Sequence, residues 1–203
     1  MIRAVVFDLG KVLASGEEIF TVPAGLLDVD PDRFAELYWA GRRGYDEGRP
    51  DADYWGPILT GLGRPPTVET MRHLAALDAE LWLKLRPQAR QLLADVRASG
   101  RLVAVLSNAP SNIDQGLLSA DFNDEADYWF VSASMGVTKP HAEAYARVTE
   151  VLNLDPTAIA FIDDRPENVA GAERAGWTAH VWISDADTRA WLESLGVLPA
   201  AQG

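Results

Sequence analysis

Four short stretches of this chain carry side chains able to do chemistry. Each lies at the end of an apolar run or at the start of a helix. They are Asp8 with Gly10, after Val5-Val6-Phe7; Ser107-Asn108, after Leu102 to Leu106; Lys139, before Pro140; and Asp163-Asp164, after Ile159 to Ile162. A carboxylate such as Asp8 is ionised at neutral pH, with an ordinary pKa of about 3.9. It can attack phosphorus without a general base, provided a positive group offsets its repulsion from the phosphate. A strand-end aspartate also serves simply as a turn former. The adjacent carboxylates Asp163 and Asp164 repel unless a cation lies near them. With Asp8 they make an oxygen-only set suited to a hard divalent ion such as Mg²⁺; the plainer alternative turns one to solvent and lets the other cap a helix. Ser107 and Asn108 offer a hydroxyl and backbone N–H groups that can cradle phosphate oxygens, or they form an ordinary turn. Lys139 can neutralise a phosphoryl group and the carboxylate attacking it, or stand as a solvated surface charge.

Other chemistries are excluded or left without support. There are no cysteines, which removes disulfides, thiolate catalysis and Cys-based metal sites. Gly10-Lys11 lacks the upstream glycine and the following Ser/Thr of a nucleotide P-loop. His73, His141 and His180 form no spaced metal motif and read as incidental. The formal net charge of −12 opposes a polyanion, so nucleic acid is not expected as a partner. A site for a small phosphate ester must then focus positive charge locally, as a bound metal would. No run approaches the ~18 apolar residues of a membrane span, and the first residues lack the pattern of a secretory signal. The expected setting is the cytoplasm, and the expected assembly a monomer or homodimer.

The elements that must position these residues follow from the same pattern. Arg3 to Phe7 reads as a buried strand. From about Lys84 onward, strands at 102–106, 128–131, 158–162 and 178–183 alternate with helices at 87–99, 140–152 and 166–175. Such alternation predicts an α/β, Rossmann-like, doubly wound parallel sheet flanked by helices. In that topology, polar groups that directly follow strands converge on one edge of the sheet, where ligands of open α/β sheets bind.

Residues 16 to 83 break the rhythm. Asp30-Pro31 opens a helix through Trp39, Asp51 can cap another from Ala52 to about Thr60, and Val68 to Leu83 makes a third. This predicts a small helical cap at 16–83, inserted after the first strand, over a core of 1–15 and 84–203. Tyr38, Trp39, Tyr54, Trp55 and Trp82 read as packing of the insert. Arg42, Arg43, Tyr45 and Asp46, in a Gly-flanked loop, are the candidates for substrate selection.

With these segments in this order, nearly the whole chain resembles the haloacid dehalogenase-like hydrolase superfamily, in its capped sugar-phosphate phosphatase branch. The resemblance rests on Phe7-Asp8-Leu9-Gly10-Lys11-Val12-Leu13, Leu106-Ser107-Asn108, Gly136-Val137-Thr138-Lys139-Pro140 with Tyr145 beyond, and Phe161-Ile162-Asp163-Asp164-Arg165-Pro166-Glu167-Asn168. It implies a phosphatase acting on a small phosphorylated metabolite through an aspartyl-phosphate on Asp8. It further implies Mg²⁺ held by Asp8, the Gly10 carbonyl and Asp164, with Asp163 in support, and the phosphoryl group held by Ser107, Asn108 and Lys139. One position departs from the pattern: most family phosphatases carry an aspartate two residues after the nucleophile as general acid and base, and here Gly10 stands there. Lys11 stands where many relatives have glycine or asparagine. General acid–base help is typically worth about 10²–10⁴ in rate. Two rivals follow. A halide-displacing enzyme would use Asp8 without metal, although such relatives generally lack the double acid at 163–164. A weakly active or inactive binding protein would keep only the fold.

Overall fold

The computed structural model describes residues 1–16 and 18–200; Glu17 and 201–203, which fall within the expected cap and core ranges, lie outside the described residues. Five strands form one sheet: β1 (Ala4–Phe7), β2 (Leu102–Ser107), β3 (Tyr128–Val131), β4 (Ile159–Asp163) and β5 (Thr178–Val181). All pairings are parallel, and the order is β3-β2-β1-β4-β5, so β1 is central. The α/β expectation holds. The inner strands are near-continuous apolar runs because both faces are covered.

Alternation along the strands divides the core into two layers. Val5, Phe7, Val103, Val105, Ala160 and Ile162 face one way, against α6 (Pro87–Ala98), α7 (Ser111–Leu117) and α11 (Asp185–Ser194). Ala4, Val6, Ala104, Leu106, Ile159 and Phe161 face the other, against α9 (Ala142–Leu152) and α10 (Pro166–Arg174). A strand slipped by one residue would exchange the two sets, so register is strongly specified.

Between β1 and α6 run α1 (Thr21–Leu27), α2 (Pro31–Ala40), α3 (Arg42–Asp46), α4 (Asp51–Gly61) and α5 (Val68–Trp82). Asp30 caps α2, its Oδ1 accepting from the Arg33 N–H at 2.9 Å, and Pro31 takes the first turn, where no N–H is needed. Thr67 caps α5 likewise. These helices bury a third apolar cluster of their own, containing Phe34, Tyr38, Tyr45, Tyr54, Trp55, Ile58, Leu59 and Leu74.

Several boundaries differ from the sequence expectation. The helix expected from Pro140 begins at Ala142, because His141 keeps extended backbone at its N-cap. Asp51 is the first residue of α4 rather than its cap, a place occupied by Pro50. The Gly-flanked segment 42–46, expected as a loop, is the helix α3, held by packing that the glycines conceal. The short helices α1, α7 and α8 (Ser132–Met135), and the ten-residue α11, fall where the sequence pattern predicts no helix.

Candidate active site

The ends of β1, β2 and β4 meet at one edge of the sheet, beneath a cavity of about 900 Å³. Asp8 directly follows β1, Ser107 ends β2 and Asp163 ends β4. The register that pairs Phe7 with Val105 and Ile162 brings their loops level. Asp8, Gly10, Ser107, Asn108, Lys139 and Asp164 all line this cavity.

Lys139 reaches the site from the turn before α9, and Asn108 fixes that turn. The Asn108 Oδ1 accepts from the Lys139 N–H at 2.8 Å, while its Nδ2 donates to the Lys139 carbonyl at 2.9 Å. The Lys139 Nζ donates to Asp8 Oδ1 at 2.8 Å, Asp163 Oδ2 at 2.6 Å and the Leu106 carbonyl at 2.7 Å. All three ammonium protons are therefore committed. Although burial opposes its charge, Asp163 and Asp8 raise the Lys139 pKa and hold it as a cation.

Asp163 is fully buried and its oxygens are taken. Besides Lys139, it accepts from the Arg165 N–H at 2.9 Å and from Asn168 Nδ2 at 3.0 Å on both oxygens. Asn168 is in turn held through its carbonyl by the Tyr145 hydroxyl at 2.7 Å. Asp8 differs. Burial pushes its carboxyl well above the usual carboxylate range, Lys139 pulls it back, and Asp163 and Asp164 push it up again. Asp164 is half-buried and meets Lys11 Nζ at 3.1 Å.

One oxygen from each of Asp8, Asp163 and Asp164 lies within 4.8 Å of the others. Repulsion among them calls for positive charge, and Lys139 supplies it on one side only. The donors are all oxygens, which suits a hard divalent cation and no soft one.

The insert forms the opposite wall. Arg42 is buried; its Nε donates to Asp46 Oδ1 at 2.6 Å, and its Nη1 contacts the Tyr38 hydroxyl and Asp78 Oδ2, the latter at 3.3 Å. Arg42, Arg43 and Asp46 line the cavity. Tyr45 does not: it stacks on Tyr54 at 4.1 Å and donates to Asp51 at 2.7 Å, inside the insert's own core. Burial raises the Asp46 carboxyl to about 6, against the pull of Arg42, with Asp78 and Glu47 adding to the rise.

Sequence reasoning passed over several residues that share this cavity. His141, read as incidental, accepts at Nε2 from Arg43 Nη2 at 2.9 Å, a contact from insert to core. Trp39 and Trp82, read as packing, line the cavity with Ile19 and Phe20. Trp82 lies over the turn after Asp8: a Cβ on Gly10 would meet its Cζ3 at 3.2 Å, and one on Gly16 at 2.9 Å. Its indole Nε1 donates to the Tyr38 hydroxyl at 2.9 Å. No periodicity reports such a contact; the glycines at 10 and 16 were its only trace.

The profile of the haloacid dehalogenase-like hydrolases matches residues 2–176. A phosphatase of Mycobacterium tuberculosis is 30% identical over 200 residues, covering 93% of this chain and 90% of its own. A sesquiterpene phosphatase of Aspergillus oryzae is 29% identical over 177 residues, covering 86% of each chain. The (S)-2-haloacid dehalogenase of Xanthobacter autotrophicus is 31% identical over 135 residues, covering 63% of this chain and 52% of its own. The solved structure of an L-2-haloacid dehalogenase from that organism, with chloropropionic acid covalently bound, shares the fold at a TM-score of 0.75 and 22% identity, covering 98% of this chain and 85% of the other. The chain belongs to the haloacid dehalogenase-like hydrolases.

Proposed function

We propose that this hydrolase is a Mg²⁺-dependent phosphatase acting on a small phosphorylated metabolite, with Asp8 as nucleophile. The observation that carries the reading is the convergence of Asp8, Asp163 and Asp164 within 4.8 Å. A dehalogenating nucleophile has no use for two further carboxylates beside it; a phosphatase does, because a divalent ion offsets the charge of phosphate and carboxylate together. Mg²⁺ would be held by Asp8, Asp164 and the Gly10 carbonyl. Asp163 orients Lys139, whose ammonium pulls the Asp8 carboxyl back toward its ionised form against burial and faces the phosphoryl group. Ser107 and Asn108 complete the phosphate cradle. The two relatives that are phosphatases by name support the assignment.

Helices α1–α5 act as a cap, the expected 16–83 insert, and their residues choose the substrate. Arg42, Arg43 and Asp46 face it, while Tyr45 shapes α3 from behind. A sugar phosphate fits the polar wall. The apolar wall of Ile19, Phe20, Trp39 and Trp82 favours an ester with a hydrocarbon or planar body, and the relative acting on a sesquiterpene points the same way. The test is release of phosphate against halide from a panel of both substrate types, with Mg²⁺ and with EDTA. Phosphate release abolished by EDTA is expected. Halide release that persists in EDTA would overturn the reading in favour of dehalogenation.

A further inference from the structure

Gly10 leaves the family's usual position for a proton donor without a side chain, and Trp82 fills the space above it. An in-line displacement at phosphorus sends the leaving oxygen away from Asp8, toward the wall built by the insert. A group that serves this oxygen must therefore stand on that wall with an atom free.

Most titratable groups of the cavity are committed. Lys139 has given its three protons, and Asp164 and Glu167, each paired with a cation through one oxygen, stand with it on the core side of the cavity rather than on the insert's wall. His141, whose Nε2 accepts from Arg43, caps α9 and so also stands on the core side. Asp46 is bonded to Arg42 through Oδ1, and among the described residues no partner is recorded for Oδ2. Its position is fixed relative to the core. The Ser132 hydroxyl donates to the Asp46 carbonyl at 2.6 Å and accepts from the Ala109 N–H at 2.9 Å. Asp46 is thus one hydroxyl away from the Ser107-Asn108-Ala109 turn.

We propose that Asp46 of α3 is the general acid and base of this enzyme, supplied by the insert in place of a side chain at position 10. The inference rests on the phosphatase reading. In the first step the P–O bond to Asp8 forms as the P–O bond to the leaving group breaks, and the leaving oxygen takes the Asp46 proton. In the second, water attacks phosphorus and loses a proton to the Asp46 carboxylate while the bond to Asp8 breaks, which returns Asp8 ionised and Asp46 protonated. Burial brings the Asp46 carboxyl to about 6, where both forms are populated near neutrality. The charged groups acting on it are Arg42 and Glu47 from its own segment and Asp78 from α5.

The experiment compares p-nitrophenyl phosphate, whose leaving group departs without a proton, with glycerol phosphate, whose leaving group needs one. With Mg²⁺, Asp46→Asn is expected to release a single burst of nitrophenolate, to accumulate phosphorylated enzyme, and to lose about 10²–10⁴-fold on glycerol phosphate. The burst itself reports a folded site. A second measurement uses wild type alone: the ratio of kcat/KM for glycerol phosphate to that for p-nitrophenyl phosphate should fall as pH rises through about 6. Wild-type turnover of glycerol phosphate by Asp46→Asn, a flat ratio in wild type, or the burst appearing in His141→Asn instead would each overturn the proposal. Wild type inert on both esters would overturn the phosphatase reading, and this proposal with it.

Discussion

The Lys139 ammonium lies between Asp8 and Asp163, 2.8 Å from one carboxylate and 2.6 Å from the other. All three groups are buried, so the lysine is structural counter-charge and, on the proposed reading, machinery as well. Removing one partner of a buried pair costs about 3–5 kcal/mol, because the remaining charge is left uncompensated. Lys139→Ala should therefore unfold at lower urea and lose most phosphate release together. Near-normal turnover in that variant would remove Lys139 from the site.

Asp8→Asn should separate chemistry from stability. Loss of the nucleophile is expected to cost at least ~10³ in rate. Stability should not fall with it. In the folded chain the Asp8 carboxyl sits above its ordinary value, so the ionised form is favoured less in the fold than in the unfolded chain. A group of that kind stabilises below its unfolded pKa and loses that contribution as pH rises through the folded one. At neutral pH an uncharged amide therefore starts level or ahead. Thermal melts at pH 7 beside phosphate-release assays check both halves; a marked drop in melting temperature would contradict this account.

Gly10 and Gly16 should respond differently to a methyl group. Gly16 has φ +65 and a clash at 2.9 Å, whereas Gly10 has ordinary φ and a closest approach of 3.2 Å. Gly16→Ala should cost about 1–2 kcal/mol from backbone conformation alone, with the clash added. In a Trp82→Ala background the Gly10→Ala penalty should vanish, while the backbone part at Gly16 remains. Urea titration of this double-mutant cycle reads the coupling; additivity at Gly10 would show that the indole does not hold the turn.

Acid should weaken the joint between the start of α6 and α11. Arg86 donates to both oxygens of Asp185, at 2.6 and 2.8 Å, and lies over Trp182. This contact holds the Asp185 carboxyl below the usual range. Its contribution is present above the unfolded carboxylate pKa and is lost as pH falls through the lower folded value. Arg86→Ala should be less stable than wild type at pH 7, with the gap narrowing toward pH 3. A gap independent of pH would assign the effect to packing on Trp182 instead.

The strands and the Asp8, Ser107 and Asp163 positions were legible because covered parallel strands are almost uniformly apolar, and a polar residue at their end stands out; Lys139 was legible from its place before Pro140. Helix α2 was legible from Asp30-Pro31 at its start, and α5 from apolar residues at three- and four-residue steps. The short helix α3 was not: Gly41, Gly44 and Gly48 signal a loop, and contacts such as Arg42–Asp78 and the Tyr45–Tyr54 stack, distant in sequence or hidden from it, hold it as a helix. His141 and Trp82 were missed because their partners, Arg43 and Gly10, are distant in sequence. The tight commitment of both Asp163 oxygens depends on Asn168 and Lys139 arriving together, which no single segment announces.

The central place of β1 has a consequence for how this protein can diverge. A strand laddered to neighbours on both sides cannot slide without disrupting two sets of backbone bonds together, so the position of Asp8 resists drift. The polypeptide leaving that same strand enters helices with a separate apolar cluster. Lengthening, shortening or resurfacing those helices leaves the ladders untouched. On the proposed reading, recognition is thereby free to wander across lineages while the chemical step stays anchored.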